Sequence, residues 1–369
     1  MSKKIALITP DFHPNKSGIA TVSYIHYLAI KEKFQIKIFS NFKDENSEFI
    51  NIDLSNNLFT PYKKQFSKKL VDQLNKYNPD IIFVQCLLSW TSQVISSLRS
   101  ELINKNIKFV LFSHGVSHNE IIGNGLLSYV RHLYYYFHIK FILPKIISNF
   151  DLVISIGEFK DSKCFIEEKI SKIKSIQYST IENGGVDYSD LSIEKSKRFT
   201  FLCVANYNDI KNQKFLIQLI KKNKNIDADF IFLGSEKNTY YHECEEIARN
   251  DKRIFLFIES SSNTLKKYYS LSHAFIYSSR WEAQSLVLLD AQASGLPLII
   301  SRTGSYSKLP GAIICNSKTE YINAINQLIK DNYLLNNLKS KGLERYVKIN
   351  NWNNSTSVLL EKLSHFYNK

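Results

Sequence analysis

The chain is poor in cysteine, proline and glycine, and short of acid relative to base. Its five cysteines, Cys86, Cys164, Cys203, Cys244 and Cys315, are far apart, odd in number and form no C-x-x-C pair. That excludes a disulfide scaffold, and they read as reduced core thiols in a reducing compartment. Twelve Gly and seven Pro in 369 residues exclude collagen-like and Gly-rich linker architectures. No apolar run approaches the roughly 20 residues of a membrane span. The run Ile5–Thr9, behind Met1-Ser2-Lys3-Lys4, is too short for the apolar core of a secretory leader, and no small-residue cleavage site follows it. The expectation is a cytosolic chain. There is no P-loop, no G-x-G-x-x-G and no serine nucleophile elbow, and no repeat of solenoid period.

What is present is enough apolar side chain to fold. Hydrophobic residues are 44% and aromatics 13%, which excludes a mainly disordered chain. Lys and Arg total 48 against 34 Asp and Glu, a net charge of +14. Such a surplus favours anionic partners: a membrane surface, nucleic acid or phosphorylated ligands. At roughly 100–200 residues per domain, the length predicts two domains.

Short runs rich in Ile, Val, Leu and Phe recur at Ile5–Thr9, Phe34–Phe39, Ile81–Gln85, Lys108–Phe112 and Leu152–Ile156. They recur again at Phe199–Val204, Phe230–Leu233, Ile254–Phe257, Ala274–Tyr277 and Leu298–Ser301. They alternate little, as strands buried on both faces do. Helical patterns such as Val22–Ile30, Phe215–Lys221 and Ser285–Ala293 lie between them. The order predicts parallel sheets covered by helices: two doubly wound α/β domains of about five strands each. The break is expected in the polar stretch Tyr188–Lys197, giving domains 1–190 and 191–351, with a last helix 352–369 packing back toward the first domain. Ligand sites in such sheets lie beyond the carboxyl ends of the strands, so a cleft between the domains is expected there.

The segment Ser278–Pro297 is the most informative. A strand runs through a short turn into a helix. Ala283, Gln284 and Ser285 are expected at the helix start, where unpaired backbone N–H groups attract an anion such as a diphosphate. Glu282 precedes the helix and Asp290 lies about two turns inside it, roughly 10–12 Å along the axis. That separation suits gripping two hydroxyl-bearing parts of one extended ligand, such as a sugar and a ribose, rather than a joint acid/base pair. A capped amphipathic helix with Glu282 as a favourable N-terminal charge has the same spacing.

Glu282, seven residues, Asp290, then small residues and Gly295-x-Pro297 resemble the E-x7-E signature of glycosyltransferase family 4. Other stretches agree in order. Pro10–Pro14 with Ser17-Gly18 resembles that family's first glycine loop, and Ser113-His114-Gly115 its histidine after an N-domain strand. Ile181–Asp187 resembles its N-G-V-D turn, and Val204–Asn212 the turn that holds the donor diphosphate. The chain departs from the pattern in having Asp290 for Glu, Asn206 for Arg, Ala283-Gln284-Ser285 for Gly-Phe-Gly, and an extra glycine in the N-G-V-D turn.

The resemblance implies a GT-B fold and a retaining enzyme that uses a nucleotide-diphosphate sugar as co-substrate, with no metal or other cofactor required. It implies His114, Lys211 and Glu282 as catalytic residues. Gly18, Asn206, Lys211, Ala283, Gln284, Ser285 and Asp290 are then donor-binding, with Lys211 neutralising the leaving diphosphate, Glu282 on the donor sugar and Asp290 on the ribose. The acceptor expected is a glycolipid or lipid-linked oligosaccharide in O-antigen, lipopolysaccharide or capsule synthesis. Another nucleotide-sugar enzyme, an epimerase or hydrolase, and a non-catalytic partner that keeps the fold are the alternatives.

Asp227-Ala228-Asp229 matches a metal-binding D-x-D but precedes a strand, on the wrong edge for the site. His242–Glu246 is a charged helical face without zinc spacing. From Ile121 to Phe150 there is no acid; Arg131, Lys140 and Lys145 are mixed with Tyr129, Tyr134, Tyr135, Tyr136, Phe137, Phe141 and Phe150. Lys63, Lys64, Lys68 and Lys69 around Phe66 extend that character. The mixture describes an interfacial patch for an anionic membrane, hence a peripheral protein at the cytoplasmic face. A partly buried aromatic helix with a basic outer face has the same composition. No motif supports nucleic-acid binding.

Overall fold

The computed structural model describes residues 3–15, 17–40, 49–51, 64–87, 89–115, 137–157, 166–259, 261–303 and 308–367. Two compact units emerge, Met1–Glu182 with Ser355–Lys369, and Asn183–Asn354.

The first unit is built on a parallel sheet of β1 (Lys4–Ile8), β2 (Gln35–Ser40), β3 (Phe49–Asn51), β4 (Ile81–Gln85), β5 (Lys108–Ser113), β6 (Leu152–Ile156) and β7 (Gln177–Ile181). Their spatial order is β3-β2-β1-β4-β5-β6-β7. The central strands β4 and β6 are buried at every position, which is why they read as unbroken apolar runs. The helix Gly18–Lys31 and the helix Lys64–Tyr77 follow β1 and β3. Ala6, Ile82, Val84, Leu111, Val153, Leu74 and Ile147 meet in one core, each fully buried large side chain contributing about 1.5–3 kcal/mol before entropy is charged.

The second unit repeats the plan. Its strands are β8 (Thr200–Val204), β9 (Asp229–Gly234), β10 (Ile254–Ile258), β11 (Ala274–Tyr277), β12 (Leu298–Ser301) and β13 (Ala312–Cys315). Their order is β10-β9-β8-β11-β12-β13, again all parallel. Phe201 and Phe230 stack across neighbouring strands at 5.1 Å in its core. In both sheets the order reverses beside the first strand, so the loops after β1 and β4, and after β8 and β11, flank the two switch points.

Three details differ from the sequence reading. The sheets have seven and six strands rather than about five, the additions being β3, β7 and β13. The segment 183–190 belongs with the second unit: Val186 N donates to Asp290, Tyr188 N to Ser294 Oγ and Asp190 N to Ser270 Oγ. The helix after β11 begins at Leu286 with Ser285 as its N-cap, so Ala283 and Gln284 form a turn ahead of it. Among the described residues, Cys86, Cys203, Cys244 and Cys315 are buried free thiols; Cys164 lies outside them. No helix of the described residues is long and apolar enough to cross a membrane.

Candidate functional site

The second unit brings together the residues after β8 and β11. Ser278 Oγ donates to the Asn212 carbonyl (2.9 Å), Ser279 Oγ to the Ile210 carbonyl (3.1 Å) and Arg280 N to the same Ile210 carbonyl (2.7 Å). These bonds pin the β8 loop to the β11 loop at the switch point. Across that joint Lys211 Nζ donates to Glu282 Oε1 at 2.5 Å, and Tyr277 OH donates to the same oxygen at 2.8 Å. Glu282 is 6% exposed; a carboxylate that deep needs such partners. Tyr277, at the end of its strand, is held well above the ordinary phenol range, first by burial and then by the Glu282 charge. It therefore stays a neutral donor, and one cation and one hydroxyl converge on a single carboxylate oxygen.

Asp290 sits one turn inside the helix Leu286–Ala293, which starts four residues after Glu282. The two acids are therefore not separated by an unbroken helix, and the axial spacing expected from the sequence does not apply. Asp290 Oδ1 accepts the Val186 N–H at 2.7 Å. Burial pushes its carboxyl up to about 7, with the Val186 N–H pulling the other way. Gln284 Oε1 accepts the Asn183 N–H at 2.9 Å, so this side chain ties the β11 loop to the Asn183-Gly184-Gly185 turn. Ala283, Gln284 and Ser285 are all buried. Asn206 is exposed, and its Oδ1 accepts from Ser235 Oγ at 2.5 Å. The helix Gln213–Lys222 starts just beyond Lys211.

The first unit carries its own polar group at the strand ends. Gly18 is the exposed first residue of its helix, behind the N-cap Ser17, whose Oγ accepts the Ala20 N–H at 3.0 Å and donates to Asp11 Oδ2. His114 follows β5, and its Nε2 lies 2.9 Å from Gln85 Oε1 at the end of β4. Gln85 Nε2 lies 3.1 Å from His26 Nδ1. Burial pushes His114 down to about 4 and His26 to about 3, so both imidazoles are neutral near pH 7. Ser113 Oγ donates to the fully buried Glu167, whose carboxyl burial pushes up to about 7.

Tyr277, Arg280, Gln85 and His26 were not singled out from the sequence. Tyr277 and Gln85 left a trace, a polar-tipped residue ending an otherwise apolar strand. His26 left a weaker one, a polar residue on the buried face of its helix. Arg280 is exposed, with Nη2 3.3 Å from Asn212 Oδ1, and adds a cation beside the loop of Lys211. Asp227 and Asp229 both bind Arg198, at 2.8 and 2.7 Å, at the amino end of β9. Among the described residues no cluster of His, Cys, Asp and Glu has a metal-binding arrangement.

Residues 190–345 match the family model described as glycosyl transferases group 1. A putative glycosyltransferase of Bacillus subtilis, EpsF, is 32% identical over 102 residues, which is 27% of this chain and 26% of that protein. The chain thus matches about a quarter of the length of that curated relative. Sucrose-phosphate synthase from Thermosynechococcus elongatus superposes with a TM-score of 0.74 over 99% of both chains at 16% identity. HepE of Anabaena, solved in complex with UDP-glucose, superposes at 0.69 over 98% of this chain and 99% of its own, at 14% identity. The chain has the GT-B fold, and its second unit carries the sequence pattern of glycosyl transferases group 1.

Proposed function

We propose that this chain is a retaining glycosyltransferase that moves a sugar from a nucleotide-diphosphate donor to a hydroxyl of a glycolipid or lipid-linked oligosaccharide. The observation that carries the reading is the Lys211–Glu282 pair, joined across the switch point of the unit that matches the glycosyl-transferase pattern. A cation at that place stabilises the negative charge that grows on a departing diphosphate, where electrostatic help counts most. Glu282, freed from Lys211 as the diphosphate takes the ammonium, holds donor-sugar hydroxyls; Asp290 holds the ribose. No metal is needed in this scheme, and no side chain acts as a covalent nucleophile.

The lipid acceptor is supported by the charge of +14 and by the described part of the acid-free segment. There Phe137 and Phe141 are 55% and 54% exposed, with Lys140 against the Phe141 ring and Lys145 exposed nearby. Work at the cytoplasmic membrane face on a surface polysaccharide, O-antigen, lipopolysaccharide or capsule, follows from that reading.

The test is a donor panel read by mass with an extracted glycolipid acceptor, in EDTA. Transfer is expected to survive chelation, and Lys211→Ala to lower turnover on the order of 10²–10³-fold. Glu282→Gln is expected to cut transfer while circular dichroism stays unchanged. Wild-type turnover in both variants at saturating donor refutes the assignment of this site; sugar release without acceptor makes the protein a hydrolase instead.

A further inference from the structure

A pocket of about 490 Å³ opens at the amino end of the first sheet, lined by Lys4, Gln35, Lys37, Gln73, Lys76 and Tyr77. Its volume falls among those of small-ligand sites, roughly 300–1,000 Å³. β1 and β2 pair in parallel, with Lys4 opposite Gln35 and Ala6 opposite Lys37. Side chains alternate along a strand, so Lys4, Gln35 and Lys37 share a face with Ala6 and Phe39. Ala6 and Phe39 lie in one core with Leu74 and Tyr77 of the helix Lys64–Tyr77. Lys37 stands where that apolar face would continue, and it is half-buried.

Tyr77 ends the helix, is buried, and donates its hydroxyl to the Gln35 carbonyl at 3.1 Å. Lys37 Nζ lies 5.1 Å from the centre of its ring and Lys4 Nζ 5.7 Å, both within reach of a cation–π contact. Lys4 Nζ also donates to the Tyr77 carbonyl at 3.4 Å, which leaves it two more N–H donors. Lys76 is exposed on the last turn of the same helix. Among the described residues no acid lines the pocket, and none of these three lysines makes an ion pair. Asp80 accepts the Lys4 backbone N–H at 2.8 Å but is not part of the lining. Partly buried cations elsewhere, such as Arg99, Lys211, Lys214 and Arg253, each meet an acid. Gathering three ammonium groups without one is unfavourable unless an anion from outside joins them.

We infer that this pocket binds a phosphate or diphosphate group, held by the ammonium groups of Lys4, Lys37 and Lys76 with the Gln35 and Gln73 amides as further donors. A diphosphate has enough oxygens and charge for three ammonium groups on separate walls; a single carboxylate has two oxygens. The pocket is at the amino ends of the strands, whereas Gly18 and His114 follow the carboxyl ends of β1 and β5. It is therefore separate from the residues assigned to glycosyl transfer, and the inference does not rest on that reading.

The test is titration calorimetry of the full chain with inorganic pyrophosphate, in EDTA and at low salt. Lys211→Ala is the common background, so that the proposed donor site contributes little. Saturable binding is expected there. Adding Lys37→Gln and Lys76→Gln should weaken it about 30-fold, about fivefold for each lysine. Adding Lys37→Arg and Lys76→Arg instead should preserve it. Sedimentation with phosphatidic acid vesicles separates the sources of the phosphate. If the Gln variant loses pyrophosphate and vesicles together, the ligand is a lipid headgroup; if it loses pyrophosphate alone, the ligand is a soluble phosphate. Absence of saturable binding in the background overturns the inference, and so does unchanged affinity in the Gln variant. If that variant does not fold, Lys76→Gln alone, at an exposed helix end, should still weaken binding about fivefold, and unchanged affinity there is equally decisive against the site.

Discussion

A carboxyl group at Asp290 holds its proton longer than an exposed one, and that has a sign. Its pKa rises from an ordinary 3.8 to about 7 in the folded chain because burial penalises the charge. Between those values the folded state binds more protons than the unfolded state, so stability falls as pH rises from about 4 to about 7. Glu167 in the first unit, also raised to about 7 by burial, acts in the same direction. The informative quantity is therefore the difference between wild type and Asp290→Asn. The amide keeps an oxygen for Val186 N–H but never ionises. Its unfolding midpoint is expected to equal or trail the wild type near pH 4 and to exceed it by pH 8, as read from thermal melts at stepped pH. Coincident profiles would show that Asp290 ionises freely. Individual residues were legible where motif and strand end coincided, as at Lys211 and Glu282. They were hidden where the partner was distant in sequence: Gln85 meets His26 from 59 residues away, and no local pattern encodes such a meeting.

At the scale of an element, the turn Asn183-Gly184-Gly185 shows what the extra glycine does. A Cβ on Gly184 would lie 2.4 Å from Trp352 N, and one on Gly185 would lie 2.4 Å from the Leu289 carbonyl oxygen. Both clashes are with backbone, which cannot swing aside. The turn thus lies directly on the helix that carries Asp290, close enough for Val186 N to reach its carboxylate. Gly185→Ala is expected to destabilise by about 1–3 kcal/mol through overpacking, measured as a lower denaturant midpoint, and to weaken donor binding as the Val186–Asp290 bond is displaced. An unchanged midpoint would mean the helix yields without cost. The strands give a similar lesson in legibility. The ten read from the sequence include every interior strand. The three missed, Phe49–Asn51, Gln177–Ile181 and Ala312–Cys315, are all at sheet edges. Phe49–Asn51 is only three residues long and Gln177–Ile181 is mostly polar, so neither shows an unbroken apolar run, whereas Ala312–Cys315 is apolar throughout and as long as two of the interior strands. The fourth edge, Ile254–Ile258, was legible because it is written in Ile, Phe and Leu throughout, although Phe255 is 40% exposed.

For the whole molecule, the charge of +14 predicts how it meets a surface. Most of the acid-free segment, 121–136, lies outside the described residues, as does Lys63, and the side chains of Lys64, Phe66 and Lys68 are likewise outside them. The test therefore uses Lys140 and Lys145, both exposed. At roughly 1 kcal/mol for each basic residue near an anionic membrane, replacing both by Gln should weaken sedimentation with phosphatidylserine vesicles about 30-fold. Binding to neutral vesicles should hardly change, and added salt should narrow the difference. Equal sedimentation of variant and wild type would assign the surplus charge another purpose. The division into units has a consequence for the order of events at the ribosome. The first unit needs Ser355–Lys369, which is made after the whole of the second. Leu359 and Leu363 of that segment are fully buried. During synthesis the second unit can therefore close while the first, though older, still waits with an uncovered apolar face. A chain that stalls or is cut before Leu359 would leave its earlier half, rather than its later one, as the part recognised by chaperones and proteases.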